Sequence, residues 1–259
     1  VDLQLANHVA VVTGAGRGIG LAICRRLVAE GATVVANTRS SSASLEPLMV
    51  DGRVRVVEGD ITVADIQTQL VEAAGGRVHL LVNNAGVAPA RPGGFLTITD
   101  EQWQQTFALD LLAGIAMIRA VLPGMLNAGG GTVVTVGSLN ARLPDPLVLD
   151  YSAAKAALAS AMKSLSKAYG PQGIRFNTVD PGPVATDLWI GDHGVAETVA
   201  GATGLAPNDV AAQAAAAMPT GRFSTPDEVA TLVAVLASPL LSNVTGASFV
   251  IDGGMQPTL

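Results

Sequence analysis

A β-rich run from Val9 to Thr13 breaks directly into Gly14-Ala15-Gly16-Arg17-Gly18-Ile19-Gly20, and a helical pattern follows to Glu30. A glycine turn between a strand and a helix restricts the chain to few architectures. Glycine accepts backbone conformations and close approaches that other residues resist. Backbone N–H groups can therefore converge at the helix N-terminus, where the helix dipole favours an anion. The ligand this arrangement suits is the pyrophosphate of a dinucleotide, held by Gly14, Arg17, Gly18, Ile19 and Gly20. Gly31 then closes the helix in the manner of a C-terminal glycine.

The rhythm set by this first unit continues along the chain. Strands are expected at Thr33 to Asn37, Val54 to Glu58, Val78 to Asn83, Thr132 to Val136, Ile174 to Val179 and Phe249 to Ile251. Helices are expected from about Thr62 to Ala74, Asp100 to Leu126, Ser152 to Tyr169 and Pro226 to Ala237. Thr99 suits an N-cap. Thr225-Pro226-Asp227-Glu228 places a cap, a first-turn proline and two acids where a helix start wants them. The strands are nearly continuous Val, Ile and Leu, which implies burial on both faces and hence a parallel sheet covered by helices. The expected fold is α/β: a doubly wound Rossmann fold of about seven parallel strands with helices on both faces and ligands at the strands' carboxyl ends. Residues 1–259 read as one dinucleotide-binding and catalytic domain, and 187–218 interrupts the rhythm as a substrate lid.

Composition narrows the possibilities. Hydrophobic residues are 49% and aromatics only 3%, so the core is built from small and aliphatic side chains. A net charge of −6 leaves no basic face for nucleic acid. Apolar runs reach about a dozen residues, short of a bilayer span, so no membrane segment is expected. Cys24 is the single cysteine, within an apolar helical pattern, which suits a buried thiol and a reducing cytoplasm. No metal-ligand set is expected.

Lys155, Lys163 and Lys167 are the only lysines, and all fall in one expected helix. Lys163 and Lys167 read as a solvated face near its end. Lys155 lies four residues after Tyr151, on the same side of the helix. An ammonium held there favours the phenolate and draws a phenol with an ordinary pKa of about 10 towards working pH. Ser138, at the end of the strand before that helix, completes a candidate acid–base centre.

The second strand ends Ala36-Asn37-Thr38-Arg39-Ser40, without a carboxylate. An acid there would bind ribose hydroxyls and repel a 2′-phosphate, whereas an Arg welcomes one. Arg39, with Arg17 in the glycine turn, therefore favours NADP(H) over NAD(H).

Together these motifs resemble the short-chain dehydrogenase/reductase family in its compact single-domain form, over essentially the whole chain. Thr13-Gly14 with Gly18 and Gly20 is similar to its cofactor turn, and Asp60-Ile61 to its adenine-contacting pair. Asn83-Asn84-Ala85-Gly86 resembles the segment that stabilises the sheet beside the cofactor. Asp180-Pro181-Gly182-Pro183-Val184-Ala185-Thr186 resembles the loop that holds the nicotinamide carboxamide. Gly221-Arg222-Phe223 and Asp252-Gly253-Gly254 resemble C-terminal signatures. The resemblance implies that Tyr151 is the general acid or base, that Ser138 stabilises the carbonyl oxygen, and that Lys155 holds the nicotinamide ribose. It also implies packing as a homotetramer or homodimer.

One position departs from that pattern. Where the family has an Asn seven residues after a Trp, this chain has Asp110 after Trp103. In the family that Asn attends a helix irregularity linked to the Lys. A carboxylate there can pair with Lys155 and would tend to raise the Tyr151 pKa. The four-residue Tyr–Lys spacing also differs from that of the enoyl reductases.

The expected substrate wall is Leu139, Asn140 and Leu147, with Leu188 and Trp189 from the lid; Arg142 and His193 are minor candidates better read as surface residues. It suits a small-molecule ketone, an acyl thioester or a cyclic alcohol. The leading expectation is a carbonyl reductase similar to the 3-oxoacyl carrier-protein reductases. An alcohol, sugar or steroid dehydrogenase, and a catalytically impaired dinucleotide sensor or scaffold, stand as alternatives.

Overall fold

A computed structural model describes residues 1–40, 43–191 and 194–257. The strands are β1 (Val9–Val12), β2 (Thr33–Thr38), β3 (Val54–Glu58), β4 (Leu80–Asn83), β5 (Gly131–Val136), β6 (Ile174–Pro181) and β7 (Ser248–Ile251). Among the described residues they form one sheet in the order β3-β2-β1-β4-β5-β6-β7, with every pairing parallel. The helices are α1 (Gly18–Ala29), α2 (Glu46–Met49), α3 (Ala64–Ala73), α4 (Asp100–Phe107), α5 (Ala113–Asn127), α6 (Leu149–Tyr169), α7 (Asp187–Ile190), α8 (Val195–Thr203), α9 (Pro207–Ala216) and α10 (Pro226–Ala237).

Alternate strand residues feed two cores. Ala10 and Val12 of β1 lie with Ile23, Cys24 and Leu27 of α1 and Val229 and Val233 of α10. Val11, between them in sequence, belongs to the opposite face with Met117, Val121 and Met125 of α5 and Met162 of α6. This is the two-sided burial that unbroken apolar strands require. Burial pushes the Cys24 thiol up to about 12. In the segment foreseen as a lid, Ala196 and Ala200 of α8 pack with Val210 of α9 as a small separate cluster.

The helix ends follow local rules. Thr99 and Thr225 both form capping boxes, with Gln102 and Glu228 respectively. Gly31 takes φ 85°, and the N–H groups of Gly31 and Ala32 reach back to Val28 and Leu27.

Four expectations change. The connection between β2 and β3, where no helix is expected, contains the short helix α2. The helix foreseen from Ser152 starts at Leu149, which puts Tyr151 in its first turn. Lys163 is exposed but is no idle surface charge, since its Nζ donates to the Gly246 carbonyl at 2.8 Å. The helix foreseen from Asp100 to Leu126 is interrupted by a π-turn at Ala108–Leu112. That continuous helical stretch, Asp100–Asn127, is long and apolar enough by composition to cross a membrane, which counting apolar runs did not anticipate. Met117, Ile118, Val121 and Met125 nonetheless turn into the core against the sheet.

Arg175 on β6 is buried, and no carboxylate is among its hydrogen-bond partners. Its guanidinium donates to the carbonyls of Leu236, Ala237, Ser238 and Val244 and to Thr132 Oγ1, at 2.9–3.3 Å. The first three carbonyls end α10, where a cation also meets the negative end of the helix dipole. Arg175→Met would strand these acceptors. The expected loss is about 3 kcal/mol in urea-induced unfolding, given the worth of hydrogen bonds to a charged group. A variant as stable as the parent would contradict this role.

Candidate active site

The strand order reverses direction between β1 and β4, and the sequence-predicted residues gather at the carboxyl ends there. Thr13 Oγ1 accepts from the N–H groups of Asn84 and Ala85 at 3.0 and 3.1 Å. Asn84 Nδ2 donates to the carbonyls of Thr13 and Gly14 at 2.9 and 3.0 Å. The glycine turn is thus stitched to the segment after β4. Gly14 has φ 63°, and a Cβ on it would lie 2.8 Å from Ala85 Cα. A Cβ on Gly20 would overlap the Gly14 carbonyl oxygen. Both positions need glycine to keep the turn this tight.

The turn delivers the N-terminus of α1 with Arg17 as N-cap, no side-chain cap and no acid in the first turn. Its leading N–H groups remain available to an anion. Across from them, a Cβ on Gly18 would meet Thr186 Cγ2 at 3.3 Å, so the 181–186 loop faces the turn. That loop is anchored by Gly182 N–H to the Ile251 carbonyl and Ala185 N–H to the Ser224 carbonyl. Val184 is buried, with Pro181 beside it at the end of β6. This cradle of bare backbone fits a dinucleotide. Arg17 and Arg39 are both exposed at its rim.

The two residues expected to contact adenine behave differently from each other. Asp60 accepts from Thr62 N–H and Oγ1 at 2.9 and 2.7 Å. These bonds, with Arg39 nearby, hold its carboxyl below the usual range. Ile61 is buried, and its side chain packs in the core cluster that holds Leu70 and Val35.

The second half of the site centres on α6. Lys155 and Asp110 are both buried, and Lys155 Nζ lies 3.3 Å from Asp110 Oδ1. The same ammonium is 5.5 Å from the centre of the Tyr151 ring. The π-turn carries Asp110 inward, and the Val87 N–H donates to its carboxylate at 3.2 Å. A Cβ on Gly86 would sit 2.5 Å from Asp110 Oδ1 and 3.1 Å from Lys155 Nζ. Gly86 therefore serves by having no side chain. Ala85 backs the same corner. Asn83 Nδ2 donates to the Gly114 carbonyl at 3.2 Å, while its buried Oδ1 has no partner. Asn83, Asp110, Lys155 and Thr13 are among the walls of a cavity of about 10 Å³. That is room for a single water.

Electrostatics correct one expectation. Burial pushes the Tyr151 phenol above its ordinary value; Lys155 and a hydrogen bond with Ser138 draw it back, and Asp110 opposes them. Burial works against the Lys155 ammonium, but Asp110 outweighs it and holds Lys155 above its usual range. Burial likewise raises the Asp110 carboxyl against the pull of Lys155. The ammonium thus faces two groups, and Tyr151 receives only part of its field. Ser138 Oγ accepts from Asn140 N–H at 3.1 Å, which fixes the hydroxyl after β5.

A second buried acid was not singled out in the sequence. Asp180 bonds to Ser248 Oγ, and burial raises its carboxyl. A Cβ on Gly137 would overlap its Oδ1. The only signal was its place in the 180–186 motif.

The expected substrate wall is only partly assembled. Leu139 is buried and faces the interior. Leu147 and Asn140 are half-buried, and Asn140 borders a groove of about 420 Å³ with Leu149, Ala153 and Ala156. At helical spacing those three lie on the face of α6 opposite Tyr151 and Lys155. Trp189 packs its edge on Phe223, ring centres 5.1 Å apart, while Leu188 is exposed. Arg142 is exposed, and His193 lies outside the described residues.

A reversed strand order, a glycine cradle at its switch point and a buried Lys beside a half-buried Tyr define a dinucleotide-dependent oxidoreductase. A family model described as enoyl-(acyl carrier protein) reductase matches residues 14–256. D-threitol dehydrogenase of Mycolicibacterium smegmatis is 35% identical, covering 98% of this chain and 94% of that protein. The 3-oxoacyl-[acyl-carrier-protein] reductase of Vibrio harveyi is 31% identical, covering 98% and 99%. L-sorbose reductase of Gluconobacter frateurii, solved with NADPH and L-sorbose, superposes with a TM-score of 0.90 at 30% identity over 100% of both chains. The chain belongs to the short-chain dehydrogenase/reductase family, NAD(P)-dependent enzymes acting on CH–OH and C=O groups.

Gly20→Ala tests the cradle. The methyl has nowhere to go but against the Gly14 carbonyl, so the turn must open. The expected result is at least a tenfold weaker dinucleotide affinity by fluorescence titration, with about 1–3 kcal/mol of lost stability from overpacking. Undiminished affinity would show that the turn does not bind the cofactor.

Proposed function

We propose that this enzyme moves a hydride between NADP(H) and a small carbonyl or secondary alcohol, with Tyr151 as the acid–base group. The observation that carries this reading is the buried Lys155 ammonium, 5.5 Å from the Tyr151 ring centre and 3.3 Å from Asp110, with Ser138 beside the phenol. The nicotinamide, when bound, supplies or accepts the hydride. Tyr151 donates its phenolic proton to the carbonyl oxygen in reduction and takes the hydroxyl proton in oxidation. Ser138 donates a hydrogen bond to the same oxygen and stabilises charge as it develops there. Lys155 stabilises the phenolate and is placed to hold the nicotinamide ribose. Asp110 keeps Lys155 protonated and limits how far it lowers the Tyr151 pKa.

The cofactor residues of this reading are the 14–20 turn, Asp60, the backbone at Ile61, the Asn83–Gly86 segment and Pro181, Gly182, Val184 and Thr186. Preference for NADP(H) rests on Arg17 and Arg39 at a rim with no carboxylate closing β2. A charge-assisted bond of about 1.5–3 kcal/mol makes Arg39 worth a ten- to hundredfold preference. Arg39→Ala should erase that much of the NADPH/NADH ratio in kcat/KM; an unchanged ratio would remove Arg39 from cofactor choice.

Similarity to D-threitol dehydrogenase and L-sorbose reductase favours a polyol or ketose substrate, and similarity to a 3-oxoacyl reductase favours an acyl thioester. The 187–218 segment is proposed as the lid over either, in a cytoplasmic homotetramer or homodimer. A panel of both substrate classes, run with NADPH and NADH and with NADP+ and NAD+, separates them.

Two variants test the chemistry. Tyr151→Phe should abolish turnover while dinucleotide binding survives; retained turnover would end the acid–base assignment. Asp110→Asn removes a negative charge that raises the phenol pKa. Oxidation needs the phenolate and rises with pH through that pKa, so its rising limb should move to lower pH. An unmoved limb would mean that Asp110 does not act on Tyr151.

A further inference from the structure

Asp150, the residue before Tyr151, is fully buried in the first turn of α6. Its carboxylate accepts from Arg91 Nη2 at 2.6 Å, Arg91 Nε at 3.4 Å and Thr106 Oγ1 at 2.7 Å. Thr106 lies on α4 and is itself buried. Arg91 belongs to the connection that continues from Asn83–Gly86, and its side chain is only 13% exposed. Its backbone N–H donates to the Leu147 carbonyl at 2.7 Å. One arginine thus grips the start of α6 at two points, through the Asp150 side chain and the Leu147 main chain. The Asp150 carboxyl stays below its ordinary range despite burial because Arg91 and Thr106 hold it ionised.

A buried ion pair is weak evidence for stability, since well-packed apolar residues often do as well. Its distinctive property is direction: a guanidinium fork fixes the angle and distance of the carboxylate it holds. Here the held residue is the immediate neighbour of the proposed acid–base group. We propose that Arg91 is a positioning residue: through Asp150 and Leu147 it sets the Tyr151 hydroxyl and the adjoining wall relative to the Asn83–Gly86 segment. The inference rests on the Tyr151 reading above. It needs no contact between Arg91 and substrate or cofactor.

Arg91→Met, Arg91→Lys and Arg91→Ala are compared with the parent and with Tyr151→Phe, on whichever carbonyl or alcohol the parent turns over. Misplacement of a reacting group by about 1 Å costs on the order of 100-fold. Arg91→Met should therefore lower kcat about 10- to 100-fold per folded enzyme, with dinucleotide Kd unchanged within about twofold. Arg91→Lys keeps the charge without the fork, so it should fold and still fall short of the parent kcat. Arg91→Ala should regain kcat when guanidinium-type cations are added at concentrations that leave the parent unaffected. A lowered melting temperature with parental kcat in both Arg91→Met and Arg91→Lys would overturn the proposal and make Arg91 a strut. If Arg91→Met does not fold, Arg91→Lys and the cation rescue decide. Parental turnover in Tyr151→Phe would instead sink the acid–base reading, and this inference with it.

Discussion

The stitching of Thr13 and Gly14 to Asn84 and Ala85 is the constraint on which the rest of the structure hangs. It joins the ends of β1 and β4, where the sheet changes its winding direction. To one side the chain runs into the glycine turn and α1. To the other it passes through Gly86 and Val87, against which Asp110 and Lys155 rest. The anion cradle and the acid–base cluster are therefore registered to one another by four short hydrogen bonds of backbone and side chain. A small shift at this seam would reach both halves at once.

The site also concentrates buried carboxylates, and each is handled differently. Asp110 is set against an ammonium, Asp150 against a guanidinium fork and a hydroxyl, and Asp180 against a serine hydroxyl, with the Ser138 N–H, Arg142 and Lys155 adding weaker pulls. The pull on each carboxyl follows its partner: Asp150 stays below the ordinary range, whereas Asp110 and Asp180 are lifted by burial. Around Tyr151 this places negative charge on two sides of one lysine. Burial, Asp110 and Asp180 all work to keep the phenol protonated, and Lys155 works against them. Such a balance suits proton donation before any ribose is bound, and leaves the bound cofactor room to shift it.

The sequence was legible wherever the cause was local. Strand runs, the glycine turn, the Thr99 and Thr225 caps and Gly31 each depend on neighbours a few residues away, and all appear where composition placed them. The Tyr151–Lys155 pair was readable from helical spacing. What escaped depends on packing. The π-turn leaves no mark on hydrophobic periodicity, since a single widened turn shifts the register by only one residue, and only the family resemblance at position 110 pointed to it. The burial of Leu139 and Ile61 follows from packing that their motifs do not report. Arg91 and Asp150 are 59 residues apart, and nothing in either neighbourhood announces the other. The upward pull on Tyr151 came from burial, which spacing does not report.

Cys24 sits inside the α1 core with its thiol held at about 12, so the sole sulfhydryl of this chain is chemically silent at ordinary pH. The enzyme is consequently its own thiol-free background. A cysteine introduced on α7 or α8 would be the one group to take a maleimide dye or spin label. The behaviour of that segment on cofactor or substrate binding can then be followed by spectroscopy without first removing a native residue from the core.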